Sequence, residues 1–164
     1  MGGAYPLRQC AVMDKEEQKH MDRVEEARRT LLALYGGSHS PLEESDPDFA
    51  AIKQRLVYGE LYAQEALDPV MRELILLAVA TTNQTMSEVK LHTCAALRSG
   101  ASPEAVKEAV YHCAPYIGLG KAEAAAAAVN EVLRTQGISL PLASQRTVSE
   151  EDRLTAGIAA QKSI

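Results

Sequence analysis

An all-α fold is predicted for this 164-residue chain by three observations. Helix start and stop signals recur from one end to the other, and no run shows the β-branched, period-two alternation of strands. The apolar complement is Leu, Val, Ile and abundant Ala, with no Trp, one Phe and six Tyr, a set of small residues that favours closely packed helices. A chain of this length is expected to form one packed domain rather than two.

The first helix is predicted from about Asp14 to Tyr35, on the spacing of Met21, Val24, Leu31 and Tyr35, and Gly36-Gly37 ends it. A polar loop covers Ser38 to Ser45. Asp46-Pro47 then supplies an N-cap and a proline at the first helical position, and Phe49, Ile52 and Leu56 mark the expected buried stripe of a second helix running to about Tyr62. The same signal returns at Asp68-Pro69, ahead of a run from Leu74 to Ala80 that is apolar on every face and predicts a central helix buried all round. Thr85-Met86-Ser87-Glu88 has the pattern of a capping box, opening a helix that should stop at Gly100. Ser102-Pro103 caps the next helix, which carries Val106, Val110 and Cys113 on one stripe before Pro115 kinks or ends it.

From Lys121 to about Gln136 an alanine-rich helix is predicted, with Gly137 as terminator and a face suited to a neighbouring helix or subunit. Ser149 to Asp152 caps a last amphipathic stretch that runs out at Ile164. Its Asp152-Arg153-Leu154 matches Asp22-Arg23-Val24, which leaves two readings open. One is the truncated opening of a second copy of the domain; the other is a C-terminal helix that packs on its own domain or on a neighbour. The expected divisions are an N-terminal helix and loop over 1–45, a core over 46–137, and a spacer with a C-terminal helix over 138–164.

Seventeen Lys+Arg against 22 Asp+Glu give a formal net charge of −5. That is the wrong sign for tracking a phosphate backbone, so nucleic acid is not an expected partner. No apolar run approaches the roughly 20 residues of a membrane span, and the first 20 residues lack the apolar core of a signal peptide. A soluble cytoplasmic protein is the expectation. Cys10, Cys94 and Cys113 are odd in number and lack C-x-x-C spacing, which argues against a disulfide framework and against a structural zinc site.

Arg72, Glu73, Glu88, Lys90, His92 and His112 are the ionisable residues in or beside the most apolar helices. A charge near a core is costly unless it is paired or used, so these are the candidates for chemistry. Glu88 and His92 stand four apart, on one helical face, where the carboxylate can orient the imidazole as a general acid/base. Glu88 reads equally as the capping-box carboxylate. Arg72 can clamp a substrate carboxylate, and Glu73 complements the start of its helix; a plain interhelical ion pair is the other reading. Cys94 and Cys113 read as core thiols.

Several runs carry a resemblance. Tyr58-Gly59-Glu60-Leu61-Tyr62, Leu67-Asp68-Pro69 with Arg72-Glu73-Leu74, and Glu88-Val89-Lys90-Leu91-His92 with Ala96-Leu97 resemble the carboxymuconolactone decarboxylase family, as do Gly100-Ala101-Ser102-Pro103-Glu104 and Tyr116-Ile117-Gly118. The resemblance spans roughly Asp46 to Leu133. It implies the helical bundle shared with the alkylhydroperoxidase D (AhpD) group, whose signature is Glu, eleven residues, C-x-x-C, three residues, then His. Glu73 and His92 match its ends, while the two cysteine positions fall on Thr85 and Glu88, so dithiol peroxidase chemistry is disfavoured.

The resemblance further implies a lyase that removes CO2 from a small carboxylated lactone in aromatic-compound catabolism, without a metal or organic cofactor. His92 is then the acid/base, Glu88 its partner, Glu73 a further catalytic candidate, and Arg72 and Tyr116 substrate-binding residues. It also implies a homo-oligomer, a trimer or hexamer. Where the family usually has proline, this chain has Gly120, with Pro115 placed earlier. The alternatives from the same residues are a thiol-dependent peroxidase using Cys94 or Cys113, and a non-catalytic oligomeric ligand-binding protein.

Overall fold

The computed structural model describes residues 23–37 and 42–163; the expected start of the first helix at Asp14, Met21, Cys10, the first half of the polar loop and Ile164 lie outside them. The chain is an all-α single-domain bundle. Its helices are α1 (Arg23–Tyr35), α2 (Pro47–Gln54), α3 (Pro69–Asn83), α4 (Met86–Arg98), α5 (Pro103–Tyr111), α6 (Ala114–Ile117), α7 (Leu119–Thr135) and α8 (Arg153–Lys162), with a π-helical turn, Arg55–Leu61, continuing α2. Among the described residues, no helix is long and apolar enough to cross a membrane.

The core has two parts. In the larger, α3, α4, α5 and α7 pack around Leu77, Val89, Val106, Val110, Val129 and Leu133, all fully buried. Each such side chain contributes about 1.5–3 kcal/mol by leaving water. Ala96, Ala125 and Ala128 let these helices approach closely, so the alanine-rich face of α7 is turned toward its own chain. In the smaller part, α1 lays Ala27, Leu31 and Leu34 on Tyr58 of the π-helical segment, on Tyr62 just past its end and on Ala95 of α4. Val24 of α1 stays half-exposed.

The expected caps form at two of the Pro-starting helices. Asp68 accepts a hydrogen bond from the Met71 amide (3.0 Å), and Ser102 from the Ala105 amide (3.1 Å). Asp46 makes no such side-chain cap. Replacing Asp68 by alanine is expected to cost about 1 kcal/mol, read as a lowered midpoint in urea denaturation with an unchanged slope. Gly100 and Gly137 end α4 and α7 with positive φ angles of 102° and 75°, as their sequence positions predict.

Three expectations are corrected. The second helix does not run regularly to Tyr62: α2 stops at Gln54 and the π-helical turn follows. The wider turn directs Tyr58 and Gly59 inward, and Phe49, Ile52 and Leu56, expected to be buried, are at least half-exposed. α3 is not buried all round, because its Leu77 and Ala80 side faces the core while Met71, Ile75 and Val79 form an open ridge. Finally, Thr85 makes no side-chain cap; its hydroxyl donates back to the Ala80 carbonyl, and the expected capping box does not close.

Candidate active site

The loss of the capping box frees Glu88, and the first consequence is a connected set of ionisable side chains. α3 carries Arg72 and Glu73 at the end of its first turn, α4 carries Glu88 and His92 one turn apart, and Tyr62 caps the π-helical turn beside them. Glu73 is wholly buried. Its Oε2 lies 2.9 Å from His92 Nδ1, and its Oε1 lies 3.8 Å from Arg72 Nε. A buried carboxylate persists only when paired, and here an imidazole and a guanidinium flank it.

Glu88 stands on the other side of the ring, its Oε2 3.7 Å from His92 Nε2 and its Oε1 3.3 Å from Lys53 Nζ of α2. The Nε2 contact is too long for a hydrogen bond, whereas the Nδ1 contact is well inside the range. Four of the expected site residues, Arg72, Glu73, Glu88 and His92, therefore come together. Their ranking differs from the expectation: Glu73, nineteen residues away, orients the imidazole, and Glu88 looks across at its outer nitrogen. Because a carboxylate accepts, the Glu73 contact places a proton on Nδ1 and leaves Nε2 as the atom that can exchange one with a substrate.

Two side chains that the sequence reading did not place in the site complete its inner wall. The Arg72 guanidinium stacks 4.2 Å from the centroid of the Tyr62 ring and donates from Nη1 to the Tyr62 carbonyl (3.0 Å). Tyr58 packs edge-on against both Tyr62 and Tyr35, with ring centroids 5.2 and 5.9 Å away. Burial, followed by the Glu73 charge, holds the Tyr62 hydroxyl far above the ordinary tyrosine range, so it stays a neutral donor. Burial likewise raises Tyr35 and Tyr58. The i, i+4 spacing of Tyr58 and Tyr62 was the available signal for these rings. Lys53 sits 35 residues before its partner Glu88 and carried no signal at all.

The buried atoms Glu73 Oε1, Arg72 Nε and Tyr62 Oη have no hydrogen-bond partner within the protein. Unpaired buried polar atoms cost about 1–3 kcal/mol each, and their gathering around one carboxylate is the mark of a site rather than of a core. Arg72 and Tyr62 also belong to the wall of a cavity of about 510 Å3 between α1, the start of α3 and the end of α4, which Arg29 and Arg98 line as well. Glu73, Glu88 and His92 do not line that cavity.

The remaining candidates lie apart. Tyr116 on α6 is 89% exposed, and no hydrogen bond or ion pair among the described residues ties it to the cluster. Lys90 pairs with Glu131 at 2.7 Å. Cys113 is buried and donates to the Ala109 carbonyl (3.3 Å), and burial pushes the Cys94 thiol up, with Arg98 drawing it partly back. A raised thiol carries less of the thiolate that attacks peroxides.

A family model described as the carboxymuconolactone decarboxylase family matches residues 47–131, a stretch that contains Arg72, Glu73, Glu88 and His92. The chain is similar to the 4-carboxymuconolactone decarboxylase of Acinetobacter baylyi, with 29% identity over 98 residues, covering 60% of this chain and 73% of the relative.

Proposed function

From the premise that this chain belongs to the carboxymuconolactone decarboxylase family, we propose that it is a carboxy-lyase acting on a small carboxylated lactone by general acid/base catalysis, with no cofactor. The observation that carries this reading is the hydrogen bond between buried Glu73 and His92 Nδ1, which prepares the opposite nitrogen for proton transfer. Arg72, held flat against Tyr62, is the cation for a substrate carboxylate.

In the proposed reaction, the bond between the ring carbon and its carboxylate breaks, and CO2 departs without the electron pair. That pair spreads into the unsaturated lactone and its carbonyl oxygen. A proton from His92 Nε2 then converts the carbanion to the enol-lactone, and solvent restores the proton to His92. The Arg72 guanidinium stabilises the negative charge while it is on the ring.

The test is turnover of 4-carboxymuconolactone by the purified protein, followed by ultraviolet absorbance and by NMR of the product, beside His92→Ala. The variant is expected to lose about 10²–10⁴ in kcat. Turnover by the variant at the unaltered rate overturns the reading.

A further inference from the structure

The cavity between α1, the start of α3 and the end of α4 has no part in the proposed proton transfer. Its volume of about 510 Å3 is that of a small-molecule pocket. Arg72, on its wall, lies beside Glu73 Oε1, and Glu73 Oε2 lies against His92 Nδ1, so the cavity is on the Nδ1 side of the imidazole. Nε2 looks the other way, toward Glu88. A molecule in the cavity is thus separated from Nε2 by Arg72, Glu73 and the ring itself, and it cannot take the catalytic proton.

The wall indicates the chemistry of an occupant. Arg29 is committed to Glu26 at 2.7 Å, but Arg98 makes no hydrogen bond or ion pair among the described residues. The missing side chain of Gly36, at the end of α1, gives the Arg98 guanidinium its seat: a Cβ there would lie 3.3 Å from Nη1. Arg72 spends Nη1 on the Tyr62 carbonyl and turns Nε toward Glu73, which leaves Nη2 without a hydrogen bond among the described residues. Of the acids on the same wall, Asp68 accepts from the Met71 amide and Glu65 is exposed to water, which screens it. The floor is apolar, formed by buried Leu34 and the buried Tyr62 ring. Two guanidinium groups with unused donors beside an apolar floor suit a singly charged, planar carboxylate carried on an apolar body. We propose that the cavity is a second, non-catalytic site for a small monocarboxylate of this kind, held by Arg98 and Arg72, and that its occupant shares the Arg72 guanidinium with Glu73. That the site is non-catalytic rests on the acid/base reading of His92; that it binds a carboxylate does not.

The test titrates the full chain with cyclohexanecarboxylate by isothermal calorimetry. No decarboxylation takes part in this readout, so failure of the proposed activity and failure of this inference are distinguishable. The carboxylate is expected to bind with a Kd below about 1 mM. Cyclohexanecarboxamide, which keeps the shape without the charge, and acetate, which keeps the charge without the ring, are expected to bind at least about tenfold more weakly. Arg98→Ala is expected to weaken binding about tenfold. Ala33→Phe, which leaves every charge in place and fills the cavity from the exposed side of α1, is expected to abolish it. His92→Ala is expected to bind as the wild type does. Glu73→Gln, which removes the charge that Arg72 shares with the ligand, is expected to tighten binding several-fold. Because the Arg98 side chain is exposed, Arg98→Ala keeps the test decisive if Ala33→Phe fails to fold. Absence of binding, including that of a cavity filled by residues 1–22, overturns the proposal, as does equal affinity for the amide or for acetate. So does binding that survives Arg98→Ala or Ala33→Phe unweakened, or that is lost with His92→Ala, which would place the ligand in the catalytic cluster. Unchanged affinity in Glu73→Gln overturns the sharing of Arg72.

Discussion

Glu73→Gln is expected to lower turnover of the carboxylated lactone by about 10³-fold while leaving the fold intact. The reasoning starts from burial. Glu73 has no contact with solvent, and its carboxylate accepts from His92 Nδ1 at 2.9 Å. Glutamine keeps the shape but removes the charge that stabilises a protonated imidazole. Its amide nitrogen can also donate to Nδ1 and impose the wrong tautomer, the effect known for the buried aspartate of serine-protease triads. Stability is expected to fall too, because Arg72, itself mostly buried, loses the opposite charge beside it, so the thermal midpoint should drop by several degrees. Glu88→Gln makes the comparison sharp. Glu88 is partly exposed and 3.7 Å from Nε2, so its loss should cost about tenfold or less. Steady-state kinetics on both variants, beside their melting curves, check the ranking. Equal losses would remove Glu73 from its place as the orienting residue.

The largest expected effect on stability is at Gly59. A Cβ built there lands on the Arg23 carbonyl oxygen of α1, well inside contact distance, and the obstacle is backbone rather than a flexible side chain. α1 must then lift from the π-helical turn and expose part of the cluster formed by Ala27, Leu31, Leu34, Tyr58 and Tyr62. Gly59→Ala is expected to lose about 3 kcal/mol or more, which for a chain of this size is a fall of about 10 °C in Tm. Gly120→Ala is the control, since a Cβ there meets nothing within 4 Å. It should be neutral or slightly stabilising within its helix. A Gly59→Ala protein that melts with the wild type would show that α1 does not hold this position in solution.

Much of the fold was legible because punctuation is local. Asp68-Pro69, Ser102-Pro103, Gly100 and Gly137 each act on the backbone within a turn, and each starts or ends a helix where its chemistry says it should. The π-helical turn was not legible, since the spacing of Phe49, Ile52 and Leu56 fits a regular helix as well as an interrupted one, and only the fit of Gly59 against α1 selects the second. The exposed sides of α2 and α3 escaped for a related reason: apolar periodicity reports that a face avoids water, not which surface covers it.

In the site, the pairing of Glu88 with His92 followed from i, i+4 spacing alone. The shorter contact to Glu73 depends on how α3 and α4 pack, and spacing carries no such information. The likeness of Glu73 and His92 to the two ends of the peroxidase signature was the nearest hint.

The π-helical turn has a consequence for what kinds of sequence change the chain tolerates. A π turn holds one residue more than an α turn over the same length. Deleting a single residue between Arg55 and Leu61 would let the segment relax into a regular helix over the same length, so that the flanking residues keep their orientation while Tyr58 and Gly59 lose the inward direction that the wider turn gives them. Lys53 would still reach Glu88 and Tyr62 would still lie under Arg72, and the disturbance would fall on the seat of α1 against Gly59. The segment can therefore shed its extra residue more readily than a regular helix could, whereas the identity of Gly59 and the pairing of Glu60 with Arg23 at 2.9 Å tie it to α1.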